Sequence, residues 1–177
     1  AHRLSQFKPR ATDVSVILDL MIHDIDIMLW LVKSEVKKID ANGVAVLTET
    51  PDICNARITF ENGAVANLTA SRISAKPMRK IRMFQNNAYI SVDFGNQDVE
   101  VYRVLEEDTK TDMIPATMLG TIEAGTQNKI IGFEKPSVQP INAIAEEQKT
   151  FAESVLNNAP IAVSAEEAAK ALKIAEE

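Results

Sequence analysis

ICNARITFENGAVANLTAS, residues 53–71, consists of two runs in which apolar and polar residues alternate, joined by Glu61-Asn62-Gly63. Alternation with period two marks a strand that buries one face. A two-residue Asn62-Gly63 turn would set Ile58 opposite Asn67 and Arg57 opposite Leu68, mixing the faces. A three-residue loop with Gly63 in the left-handed conformation instead pairs Phe60 with Ala64, Ile58 with Ala66 and Ala56 with Leu68. That register leaves one apolar face and one polar face carrying Arg57, Thr59, Asn67 and Thr69. A one-residue slip would turn every side chain to the wrong side, so the three-residue loop is the expected one.

Segments near 36–47, 64–74, 78–84, 88–94 and 98–105 are likewise rich in Val, Ile, Phe, Tyr and Thr, with turn residues between them. HRLSQF at the start has the look of a short strand, and KPRATD after it carries turn and capping residues. Residues 106–128 lack sustained periodicity and read as a long surface excursion, followed by a short strand, KIIGFE. PINAIAEEQKTFAESVLNN then predicts an amphipathic helix with Ile141, Ile144, Phe151 and Val155 at helical spacing. Ser164 and Glu167 form a capping-box pattern at the start of another, SAEEAAKALKIAEE. Helix, then many meandering strands, then helices predicts an α+β fold: one domain over residues 1–177, a large, mainly antiparallel open sheet with helices packed on one face.

The composition, 46% hydrophobic and 25% charged over 177 residues, is that of a globular domain with a sizeable core. A net charge of -6 argues against a general nucleic-acid binder, which needs a basic surface to displace counterions. The single cysteine, Cys54, excludes an intrachain disulfide framework, suits a reducing cytoplasm and is expected to be a small buried hydrophobe. The chain opens on AHRLSQF without an initiator methionine and closes on KALKIAEE in mid-helix, as expected of a piece of a longer protein.

LDLMIHDIDIMLW, residues 18–30, is nearly as apolar as a membrane span, yet it contains Asp19, His23, Asp24 and Asp26. Four ionisable groups at the bilayer centre would be costly, so no membrane span is expected here. Thr12 or Asp13 can cap a helix running to about Lys33. At 100° per residue, Asp19, His23, Asp26 and Trp30 fall within about 60° of one another on one stripe, and Asp24 points elsewhere. Apolar residues cover most of the remaining circumference, so the stripe is expected to face a cleft or a partner. Three readings of it stand side by side. Asp19 can orient the His23 ring for general-base work; Asp19, His23 and Asp26 can supply oxygen and nitrogen ligands to a metal; or the group is a structural network. Two basic features accompany it: Arg10 just ahead of the helix, and the cluster Arg72, Lys76, Arg79, Lys80 and Arg82. Each is either a solvated surface or salt-bridge feature or an anion contact. The glycines, at 43, 63, 95, 120, 125 and 132, include no G-x-G spacing, so neither a dinucleotide fingerprint nor a P-loop is present.

VILDLMIHDIDIMLWLV resembles the D-L-x-x-H-x-x-D helix that opens the second domain of the Gfo/Idh/MocA oxidoreductases, and ITFENGAVANLTAS is similar to that family's F-x-N-G-A strand pair. The resemblance runs from about Ala1 to Leu105 and, more loosely, through the terminal helices. It implies a two-domain enzyme whose first half, absent here, is a Rossmann domain binding NAD or NADP and supplying a lysine from an E-K-P motif. The family's catalytic aspartate and histidine map onto Asp19 and His23, and Arg10, Asp26 and Arg72 are the candidate substrate contacts. Glu134-Lys135-Pro136 is a chance match, lying far downstream of the helix, and TDVSV stands where many members carry glycines. FKPRATDVSVILDLMIHDIDI is similar to the bacterial subgroup that oxidises the 3-hydroxyl of UDP-N-acetylglucosamine for lipid A or surface-sugar synthesis. The resemblance further implies a cytoplasmic homo-oligomer, dimer or tetramer, joined through the open sheet face. This chain alone would then be inactive and would hold no cofactor. The competing readings are a non-catalytic oligomerisation module and a metal-dependent site on the same helix.

Overall fold

The computed structural model describes residues 1–10, 12–105, 117–124 and 127–177. The described residues fall into two compact units, residues 1–78 with 141–177, and residues 79–140. In the first unit β1 (His2–Leu4), β2 (Val36–Val44), β3 (Ile53–Phe60) and β4 (Val65–Ser71) lie in the order β2-β3-β4-β1. The first three strands pair antiparallel and β1 lies parallel to β4. In the second unit β5 (Met78–Phe84), β6 (Ala88–Asp93), β7 (Asp98–Leu105), β8 (Thr117–Ala124) and β9 (Gln127–Glu134) follow the order β5-β6-β7-β9-β8, all antiparallel. The class is α+β with a mainly antiparallel open sheet, as its sequence pattern predicts.

The β3–β4 hairpin has the predicted register: Ile58 opposes Ala66, Ala56 opposes Leu68, and the Phe60 N–H donates to the Ala64 carbonyl at 2.9 Å. Gly63 has φ of 85°, the left-handed conformation that the loop requires. Ala56, Ile58, Phe60, Ala66 and Leu68 are buried, whereas Arg57 and Asn67 are exposed on the other face and bonded to each other at 3.1 Å. The helical layer covers the apolar face. A π-helical turn (Ile17–Met21) leads directly into α1 (Ile22–Val32), and both pack on β4; α3 (Ala165–Glu176) packs on α1 and carries the predicted capping box. α2 (Ala143–Asn157) buries none of its residues.

Three expectations are corrected. The helix begins at Val16 and not at Thr12 or Asp13, because Val16 donates its N–H to the Pro51 carbonyl at 2.9 Å and the chain before it stays in a turn. The opening strand ends at Leu4, β2 at Val44 and β4 at Ser71, each short of its sequence limit. From Thr117 onward the expected excursion is instead β8, whose alternation is broken by a register shift between Met118 and Gly120; residues 106–116 lie outside the described residues. Replacing Gly63 by Ala places a side chain in a left-handed position with open space around it. The expected cost is about 1 kcal/mol, from backbone strain alone, read as a lower urea midpoint at unchanged slope.

Candidate functional site

The rotation of α1 about its axis is set by one buried ion pair. Arg3 on β1 donates from Nε and Nη2 to the two carboxylate oxygens of Asp24, at 3.0 and 2.7 Å, with both residues nearly inaccessible. A planar guanidinium meeting a carboxylate two-on-two fixes orientation as well as distance. Met21, Ile25 and Met28 are buried with Asp24 in one seam. At 100° per residue His23, Asp26 and Trp30 then lie roughly opposite that seam. His23 and Trp30 are accordingly exposed, Trp30 to 66%, and Asp26 is half-buried. Asp24 is thus the structural member of the four ionisable groups.

Asp19 lies inside the π-helical turn and is half-buried. The Ile22 N–H donates to the Ile17 carbonyl, five residues back, so the turn is wider than an α-turn and Asp19 is phased differently against His23 than an unbroken α-helix would place it. Such turns concentrate at functional sites.

The segment leading into this turn is held by a second buried pair. Asp52, with no exposed surface, accepts on Oδ2 from the N–H groups of Val46, Leu47 and Thr48 at 2.8, 2.6 and 3.0 Å. Its Oδ1 accepts from the Thr48 hydroxyl at 2.9 Å and lies 3.2 Å from Nε of Arg72. Burial alone would raise this carboxyl, but the three N–H groups and the hydroxyl overcome it and hold the group far below the usual carboxylate range. The far end of Arg72 donates to the carbonyls of Val14 and of Pro51, and the Thr50 hydroxyl donates to the same Val14 carbonyl. Arg72 is thus drawn inside the fold, 4% exposed, where it positions the approach to the helix.

Arg10 is exposed in the loop before the helix. Asp26 lines a groove of about 580 Å³ with Ile27, Leu29, Trp30, Lys33 and, from the α3 side, Val163. Of the basic cluster, Arg72 is buried in the first unit, and in the second unit Arg79 on β5 lies over the Phe94 ring at 5.2 Å. Cys54 is buried as expected, and burial pushes its thiol up. Arg3 and Asp52 were not singled out in the sequence; an arginine on a three-residue strand carries no periodic signal, and Asp52 in TPD reads as an ordinary turn residue. Among the described residues no three His, Cys, Asp or Glu side chains gather as a metal site. No described helix starts at a glycine-rich turn, and the α2 and α3 N-termini are capped by Asn142 and Ser164, so these residues do not fit a dinucleotide pyrophosphate. No helix among the described residues is long and apolar enough to cross a membrane.

The chain belongs to the GFO/IDH/MocA family, whose C-terminal domain it matches over residues 2–93. It is 47% identical over 102 residues to the UDP-N-acetylglucosamine 3-dehydrogenase of Acidithiobacillus ferrooxidans, a match covering 58% of this chain and 33% of that protein. A solved structure of UDP-N-acetylglucosamine 3-dehydrogenase GnnA from A. ferrooxidans superposes with a TM-score of 0.81 at 33% identity, covering 99% of this chain and 51% of that one. Levoglucosan dehydrogenase, solved with NADH and levoglucosan, shares the fold at a TM-score of 0.71 and 14% identity, over 99% of this chain and 53% of that one. The chain thus spans about half the length of these solved relatives.

The Asp52 carboxyl titrates lower in the folded than in the unfolded state, where its pKa is about 4. Its stabilisation is therefore complete above that value and is lost as pH falls toward the folded-state pKa. Asp52→Asn should cost about 3 kcal/mol at neutral pH, since Arg72 loses its buried counter-charge. In urea titrations the gap between wild type and variant should narrow steadily below about pH 4.

Proposed function

We propose that the intact protein is an NAD(P)-dependent oxidoreductase that oxidises a hydroxyl of a nucleotide sugar, with UDP-N-acetylglucosamine the leading substrate, in the cytoplasm and toward lipid A or surface-sugar synthesis. The observation that carries this reading is the exposed His23 opposite the buried seam of α1, one turn after Asp19, within the residues matched to the family. The 47% identity to a UDP-N-acetylglucosamine 3-dehydrogenase supports the substrate class.

In this reading His23 accepts the hydroxyl proton, and Asp19 orients the ring and stabilises the imidazolium that forms. A nicotinamide, held by the part of the protein outside this chain, supplies the hydride acceptor. In the same reading Asp26, which lines the groove beside Trp30, contacts the sugar and Arg10 its anionic group, while Arg72 acts at a distance by fixing Val14 and Pro51. His23→Ala in the full-length protein should lower turnover by about a hundredfold or more, with folding little changed. Asp19→Asn should slow turnover and Asp26→Asn should be milder. Nicotinamide absorbance with UDP-N-acetylglucosamine, with NAD and with NADP, reads all three. Wild-type turnover in His23→Ala would sink the assignment, as would loss of activity to a chelator with recovery on added metal.

Homo-oligomerisation, as dimer or tetramer, belongs to the same proposal. In the second unit Phe84, Tyr89, Tyr102 and Phe133 form an aromatic ladder across four strands, with centroid separations of 4.9, 5.6 and 5.0 Å, and Phe84 is 77% exposed. A half-buried aromatic stripe that ends in an exposed ring suits a subunit interface. Phe84→Ala should weaken self-association at least tenfold by light scattering across a dilution series, in the range expected for an interface anchor.

A further inference from the structure

The loop after β1 and the loop after β4 are clipped together and carry charge of one sign. Ser74 donates its N–H to the Ser5 carbonyl at 2.9 Å, and the Gln6 amide nitrogen donates to the Ala75 carbonyl at 3.0 Å. The Arg10 N–H closes a tight turn on the Lys8 carbonyl at 2.8 Å. Residues 5–12, SQFKPRAT, and 71–78, SRISAKPM, contain Lys8, Arg10, Arg72 and Lys76 and no Asp or Glu. Arg72 is buried against Asp52, whereas Lys8, Arg10 and Lys76 are exposed. Among the described residues no carboxylate pairs with any of these three. In a chain of net charge -6 this is a local inversion of sign, and such a patch draws an anion. Phe7, beside Lys8, is 40% exposed, so an aromatic face adjoins the charge. An aromatic ring stacks on any nucleobase, while arginine grips phosphate as a two-pronged donor and lysine as a point charge. Pro9 and Pro77 limit the backbone freedom of both loops, so seating a ligand there orders little more chain. A bare phosphate would use the charge and leave Phe7 idle; a nucleoside diphosphate uses both.

We infer that the clipped loops form a subsite for the nucleoside diphosphate part of the substrate, with the base on Phe7 and the two phosphates on Lys8, Arg10 and Lys76. The inference rests on the proposed function for the ligand being a nucleotide sugar. Residues 7–10 run on toward Val14, whose carbonyl Arg72 and Thr50 hold ahead of the π-helical turn. The segment that carries Phe7, Lys8 and Arg10 thus leads directly into the turn that carries Asp19, and the sugar is left to the helix.

The test is calorimetry on the full-length protein with NADH in excess, so that UDP cannot report on the cofactor's site. UDP and inorganic pyrophosphate are titrated into the wild type, Lys8→Ala, Lys76→Ala, Phe7→Ala and, as control, Lys38→Ala, an exposed lysine on β2. Lys8→Ala and Lys76→Ala should each weaken UDP about tenfold, as loss of one charge-assisted contact does. Phe7→Ala should weaken UDP by about the same factor and leave pyrophosphate unchanged. Lys38→Ala should change neither. In turnover of UDP-N-acetylglucosamine the three loop variants should raise KM and leave kcat within about twofold, a split that a merely structural role does not produce. Failure of UDP to bind would overturn the subsite, as would equal binding by wild type and loop variants, or an equal loss in Lys38→Ala. Pyrophosphate bound as tightly as UDP, with Phe7→Ala silent, would overturn the place of the base. Variant-sensitive UDP binding in a protein that oxidises no nucleotide sugar would keep the subsite and remove the proposed activity; turnover with an unshifted KM would do the reverse.

Discussion

The placement of the candidate site depends on a single carboxylate and guanidinium. Arg3 and Asp24 meet two-on-two out of water, 21 residues apart, and they fix which side of α1 faces the sheet. Everything chemical about the helix follows from that rotation. With Asp24 turned inward, His23, one residue earlier and about 100° away, turns outward. The apolar seam of Met21, Ile25 and Met28 would accept some rotation, because dispersion and burial are non-directional. The bidentate pair does not, and breaking one partner would strand a buried charge at a cost of several kcal/mol.

The second buried pair does for the start of the helix what the first does for its middle. Asp52 gathers three backbone N–H groups into a tight turn, and Arg72 carries that rigidity across to Val14 and Pro51. The π-helical turn begins immediately after this clasp. A widened turn forfeits regular hydrogen bonding and persists where its surroundings hold it. Here the surroundings are identifiable side chains, and the residue displayed by the widened turn is Asp19.

Legibility from the sequence divides along physical lines. Strand periodicity is local and redundant, so β3, β5 and β7 begin and end where the pattern places them, and the hairpin register follows from face segregation alone. The Ser164 capping box is equally local. His23 and Asp19 stand out because a charge within an apolar helix is conspicuous. Arg3 and the Asp52–Arg72 pair were not legible, since each pair joins residues about twenty positions apart. β8 was missed because a bulge interrupts the period of two that identifies a strand.

The parallel pairing of β1 with β4 bears on the order in which the fold is assembled. Residues 1 and 67 that bond across this pair are 66 positions apart, whereas the β3–β4 hairpin closes over a three-residue loop. Closing the longer loop costs more chain entropy, so the hairpin is the early event and β1 a late one. Arg3 travels with β1. The rotation of the helix, and with it the outward display of His23, is consequently locked only when the last strand of the first unit's sheet arrives.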